Sequence, residues 1–281
     1  MQTDQAVRQP VLFIPHGGGP CFFMDWNPAD TWVGMGNFLK SVASTLPRKP
    51  SAIVLVSAHW MESQFRVTGH ARPGLIYDYY GFPQHTYELT YPALGAPQLA
   101  EQIARTLNDE GLEAAVDPER GFDHGMFIPL KLVFPGADIP VVQLSLRTDL
   151  DPAAHLAMGR ALAGLRDQNV LIIGSGMSFH NMRAYGDARF TPVSAEFDEW
   201  LTSAVESPAQ ERDELLGNWA NAPQAYLWHP KGDEEHLIPL LVAAGADHGR
   251  HAQFARDDRA RQPLSPWRPP HPPGTARGPL R

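Results

Sequence analysis

Val170-Leu-Ile-Ile-Gly-Ser-Gly-Met-Ser-Phe-His-Asn181 is the stretch whose reading decides the fold. Its first four residues are apolar without alternation, the pattern of a strand covered on both faces in a largely parallel sheet. The run then breaks at glycines and ends in a histidine. Three other stretches read as strands: Val11–Pro15 before His16-Gly-Gly-Gly-Pro20, residues 52–57 before Ala58-His59-Trp60, and residues 139–145. Helical patterns lie between and after them. Leu99, Ile103, Ala104 and Leu107 share one face of a helix over 97–110, Asp151-Pro152 opens another that runs to about 166, and 194–207, 208–219 and 233–244 follow by the same test. Strands alternating with helices predict an α/β fold: a mostly parallel central sheet flanked by helices, with the active-site crevice at the carboxyl ends of the strands.

Strand-end histidines are what that crevice would gather. His16, His59 and His180 each follow a buried strand and converge if the sheet is parallel. His236, in Glu235-His-Leu-Ile-Pro-Leu240, sits near the start of an apolar helix, and His124, in Gly121-Phe-Asp-His-Gly125, has Asp123 beside it to fix its tautomer. Taken singly, a histidine at a strand end is a hydrogen-bonded structural residue; three on separate strands point to a site. His70, His155, His248, His251 and His271 read as solvated, while His85 and His229 are undecided. Residues 69–93 carry Tyr77, Tyr79, Tyr80, Phe82, His85, Tyr87 and Tyr91, an aromatic loop over something rather than a core element.

Composition narrows the classes. Of 281 residues, 43% are hydrophobic and 19% charged, which excludes a disordered chain. Seven arginines and two aspartates fall after residue 249, so the first 249 residues carry −13 against −8 for the whole, and nucleic acid is excluded as the main partner. The single cysteine, Cys21, reads as a small buried residue; it rules out an internal disulfide or a Cys-rich zinc module and fits a reducing cytoplasm. No leader pattern and no apolar run near ~18 residues appears, so no membrane is implied. Length allows two domains, but motifs spread from His16 to His236 favour one, over 1–249, followed by an Arg/Pro-rich tail over 250–281.

Ile14-Pro-His-Gly-Gly-Gly-Pro20, Val56-Ser-Ala-His-Trp60, Gly121-Phe-Asp-His-Gly125, Gly174-Ser-Gly-Met-Ser-Phe-His-Asn181 and Glu235-His-Leu-Ile-Pro-Leu240, in this order, resemble the class III extradiol ring-cleavage dioxygenases of the LigB type, in their DOPA 4,5-dioxygenase-like branch. The resemblance implies one divalent metal ion per chain, Fe(II) or Zn(II), with His16, His59 and His236 as ligands. It implies His180 as acid/base and His124 as a further histidine for substrate or oxygen, with a small aromatic diol and O2 as partners and a ring-opened semialdehyde acid as product. Glu235, Glu234 or His229 stand as alternatives to His236. Tyr79, Tyr80 and Ser178 are candidate substrate contacts, with the 77–91 loop closing over the ring, and Arg183 is a candidate for a substrate carboxylate. The chain departs from the family pattern in the six residues between His229 and His236, in Phe127 and in its tail. Two rival readings are a serine esterase, using Ser178 with a His16-Gly-Gly-Gly oxyanion loop, and a non-catalytic zinc protein. Monomer and dimer both remain open.

Overall fold

The computed structural model describes residues 8–184 and 188–247. Its strands are β1 (Val11–Pro15), β2 (Ala52–Glu62), β3 (Phe65–Thr68), β4 (Ala114–Asp117), β5 (Val141–Arg147) and β6 (Val170–Gly176). Its α-helices are α1 (Val33–Thr45), α2 (Pro97–Asp109), α3 (His124–Val133), α4 (Pro152–Leu162), α5 (Thr191–Glu206), α6 (Ala209–Gly217), α7 (Ala225–Trp228) and α8 (Ile238–Ala246). The strands form one sheet in the order β1-β6-β2-β5-β3-β4, parallel throughout except where β3 meets β5. The predicted α/β class and single domain hold, and no helix among the described residues is long and apolar enough to cross a membrane.

Both faces of the sheet are covered, as the unbroken apolar strands require. Along β2, Val54 and Val56 join one cluster with Leu156 of α4, Phe197 of α5 and Leu241 of α8. Ile53 and Leu55 join the other, with Leu39 of α1, Met126 and Phe127 of α3, and Tyr79 and Tyr91 of the aromatic loop. Each fully buried side chain of this kind contributes roughly 1.5–3 kcal/mol of transfer free energy. The aromatic loop is therefore partly core. Tyr77, Tyr79 and Tyr91 each donate their hydroxyl to a backbone carbonyl, of Leu89, Thr86 and Phe134 respectively, so their polar ends are satisfied as the rings pack.

Several boundaries differ from the sequence reading. The helix predicted to end near 166 stops at Leu162 and continues as a 3-10 turn over Ala163–Gln168. The helix predicted over 233–244 begins only at Ile238, so His236 lies in the turn ahead of it. The sequence reading places His155 in solvent, but it is fully buried: its Nδ1–H donates to Asp151 O (2.7 Å) and its Nε2 accepts the N–H of Arg147 (3.1 Å). Burial holds its pKa down at about 4. Cys21 is buried and His70 exposed, as read. His248, His251, His271 and the tail lie outside the described residues.

Candidate metal centre

The site forms at the carboxyl ends of β1 and β6, beside β2, which the sequence reading ends at residue 57 but which runs on to Glu62, so His59 lies within the strand and not beyond its end. In β2, Val56 pairs with Leu144 but Met61 pairs with Leu146, so four residues, 57–60, face a single position of β5. Such a bulge bends a strand and re-aims its side chains, and here it carries His59. His16 follows β1 directly, and the next residue, Gly17, has φ +75°, with a Cβ that would sit 2.4 Å from the sulfur of Cys21, so only glycine allows the turn. His236 arrives over the other face of the sheet. A Cβ on Gly176 would lie 2.1 Å from the carbonyl oxygen of His236, which instead accepts the N–H of Met177 at 2.9 Å.

Hydrogen-bond accounting fixes which nitrogens face inward. Ser175 Oγ donates to the carbonyl of Gly125, so it accepts from His16 Nδ1 (3.0 Å), leaving His16 Nε2 with a lone pair. Glu235 Oε1 accepts from His236 Nδ1 (2.7 Å), leaving His236 Nε2 likewise. Nε2 of His59 is 3.0 Å from Nε2 of His16, and one nitrogen from each of His16, His59 and His236 falls within 4.8 Å of the others. Burial, and then the neighbouring histidines, push all three pKa values well below normal, so the imidazoles are neutral and available as ligands at pH 7. The donor set fits a divalent ion, and second nitrogens held by Ser175 and Glu235 are the usual support of histidine ligands.

His124 and His180 flank these three. The His124 ring centroid is 3.9 Å from that of His59, and the Tyr79 ring stands edge-on to His124 at 5.6 Å. His180 stacks on His236, centroids 3.4 Å apart and planes 17° apart, with Nδ1 3.4 Å from Glu235 Oε1. Burial lowers the His180 pKa, opposed by Asp233, and burial raises that of Glu235.

A profile of the catalytic LigB subunit of aromatic ring-opening dioxygenase matches residues 10–267. The chain belongs to the LigB family. It is an extradiol aromatic ring-opening dioxygenase of that family, similar to 4,5-DOPA dioxygenase extradiol of Beta vulgaris (39% identical, 88% of this chain and 89% of the relative). It is also similar to Dioxygenase tasH of Hapsidospora irregularis (42% identical, 85% of this chain and 78% of the relative). The crystal structure of an uncharacterised Escherichia coli K12 protein superposes with TM-score 0.67 at 32% identity, covering 86% of this chain and 91% of that one. The LigB match extends to Trp267, past the start of the Arg/Pro-rich stretch.

Among the sequence candidates of this LigB-family chain, His16, His59, His124, His180 and His236 meet in one place. Tyr80 does not join them: it is 92% exposed, on the opposite side of an extended loop from buried Tyr79. His85 is exposed and contacts the carbonyl of Phe23. His229 is fully buried, with pKa pushed down to about 3 by burial, and its Nε2–H donates to the carbonyl of Ser178 (3.0 Å). That bond uses the backbone of Ser178 and not its hydroxyl, the opposite of what an esterase nucleophile needs. The sequence offers the adjacent Asp123 as the partner of His124, but its carboxylate turns away to Ser57 (2.7 Å), Gln143 and Arg120 (3.5 Å). Asp78, from the aromatic loop, takes His124 instead, at 2.8 Å. Nothing local in the sequence marks Asp78, 46 residues from the histidine it holds.

Proposed function

We propose that this LigB-family chain binds one Fe(II) ion through His16, His59 and His236 and opens a catechol-type ring with O2 to a semialdehyde acid. The observation that carries the reading is three neutral imidazoles, His16 and His236 buried and His59 half-buried, whose inward nitrogens cluster while Ser175 and Glu235 engage two of their outer ones. Bound Fe(II) would supply open positions for both diol and oxygen and the electron transfer between them; Zn(II) suits the same nitrogens but has no redox chemistry.

The chain's own residues do the rest. His180, half-buried and with its pKa lowered by desolvation, accepts a phenolic proton as the diol binds and returns it when the ring opens. Its stack on His236 holds that base beside the ligand set, and Glu235 lies close enough to steady the imidazolium that forms. Tyr79 offers a ring wall to an aromatic substrate and Ser178 a hydroxyl; both are assigned to substrate contact. The catalytic unit is assigned to residues 1–249, and the cytoplasm is its proposed location.

Because relatives are named for DOPA, a catechol bearing an amino-acid side chain is the first substrate to test, beside neutral and carboxylated catechols. Anaerobically Fe(II)-loaded protein is expected to consume O2 with at least one of them and yield a semialdehyde chromophore. Full Fe(II) loading with no oxygen uptake across the series would refute the reading.

A further inference from the structure

We propose that Asp78 is a positioning residue that locks His124 in one tautomer and one orientation, so that His124 presents its Nε2 lone pair to the reaction. This deepens the reading above by giving His124 a defined role as a proton acceptor.

His124 is the first residue of α3, where a backbone N–H has no partner within the helix. Asp123, placed by sequence to cap that end, makes no capping bond because its carboxylate is committed to Ser57, Gln143 and Arg120. Asp78 fills the gap. Its Oδ1 accepts both the backbone N–H of His124 (2.9 Å) and the ring Nδ1–H (2.8 Å). Two bonds to one oxygen, one from the main chain and one from the ring, leave the imidazole no freedom to flip.

A carboxylate accepts only, so Nδ1 carries the proton, and Nε2 is the nitrogen left to exchange a proton with the reaction. Oδ2 of Asp78 lies 3.9 Å from His59 Nδ1, so the same carboxylate reaches behind two histidines of the centre. His59, Asp78 and His124 also lie close enough together to hold an ion themselves. A proton on Nδ1 of His124 is incompatible with ligation through that nitrogen, which favours positioning.

The aromatic loop thereby gains a function apart from covering substrate. Tyr77 and Tyr79 flank Asp78, and both are pinned by their hydroxyls to the loop's own backbone, so the carboxylate is delivered from a braced segment.

The tautomer can be read directly by nitrogen-15 NMR of histidine-labelled, metal-free protein, with His124→Gln assigning the signal. The wild type is expected to show protonated Nδ1 and unprotonated Nε2 at His124, and Asp78→Ala a shift toward protonated Nε2. In the Fe(II)-loaded enzyme, Asp78→Ala and Asp78→Asn are expected to lower kcat about 10–100-fold, with KM and metal content near wild type. Protonated Nε2 in the wild type would overturn the proposal without needing any variant to fold. An unchanged His124 spectrum in Asp78→Ala would also overturn it, as would metal loss that accounts for the lost activity, since Asp78 would then serve His59. Absence of oxygen uptake by the wild type would sink the proposed reaction while leaving the tautomer result standing.

Discussion

Gly176→Ala is the sharpest perturbation that leaves every candidate ligand in the chain. The new Cβ would sit 2.1 Å from the carbonyl oxygen of His236 and 3.1 Å from its carbon, where about 3.3 Å is needed, so the backbone at His236 has to retreat by about 1 Å. The retreat also stretches the Met177 N–H bond to that oxygen, now 2.9 Å. Metal sites tolerate about 0.2 Å in ligand distance, so a 1 Å shift removes His236 from any ion that His16 and His59 hold. Metal affinity is expected to fall at least about 100-fold, roughly 2.7 kcal/mol, while overpacking costs about 1–3 kcal/mol of folding stability. Chelator competition measures the first and urea unfolding the second. Gly164→Ala, where an added Cβ meets nothing within 4 Å, is the control and is expected to change neither. A folded Gly176→Ala protein with wild-type metal affinity would refute the placement of His236 in the centre.

Other substitutions divide binding from turnover. His16→Ala and His59→Ala are expected to abolish metal binding, measured as metal per chain, whereas His180→Ala keeps the metal and loses turnover; metal loss in His180→Ala would make it a ligand. Glu235→Gln weakens the bond to His236 Nδ1 and is expected to lower metal affinity about 10–100-fold by chelator competition. His155 has its folded pKa depressed from 6.5 to about 4, so the unfolded chain binds the extra proton first and stability falls as pH drops from 6.5 towards 4. At pH 4.5 its contribution is about 2.5 kcal/mol below that at neutral pH. Urea unfolding of His155→Gln is expected to show a correspondingly shallower loss, and an unchanged pH slope would contradict the assignment.

What the sequence disclosed follows burial. β1, β2, β5 and β6 were legible because strands covered on both faces are unbroken apolar runs. β3 and β4 are four residues each at one side of the sheet, and Ala114–Asp117 is only half-buried, so neither leaves a run long enough to notice. α1 hides behind Gly34 and Gly36, and α3 behind Pro129, a residue that argues against a helix although this one carries it. His16, His59 and His180 were legible because the ends of neighbouring parallel strands point to one place, and His124 and His236 because their motifs resemble those of a known family. Asp78 was not, since it lies 46 residues from the histidine it holds, and neither was the burial of His155, whose hydrogen bonds are local but whose helix is covered by α8, about 90 residues further on. The adjacent Asp123 was the natural partner for His124, and it was drawn off by Ser57, Gln143 and Arg120, which only the folded chain brings to it.

The most direct test titrates metal-free protein with Fe(II) under anaerobic conditions and then admits O2 and a catechol. Oxygen consumption and ring-opened product are expected to rise together and level off at one Fe(II) per chain, with neither detectable in His236→Ala. Turnover that does not track iron, or that survives in His236→Ala, would contradict a reaction centred on His16, His59 and His236.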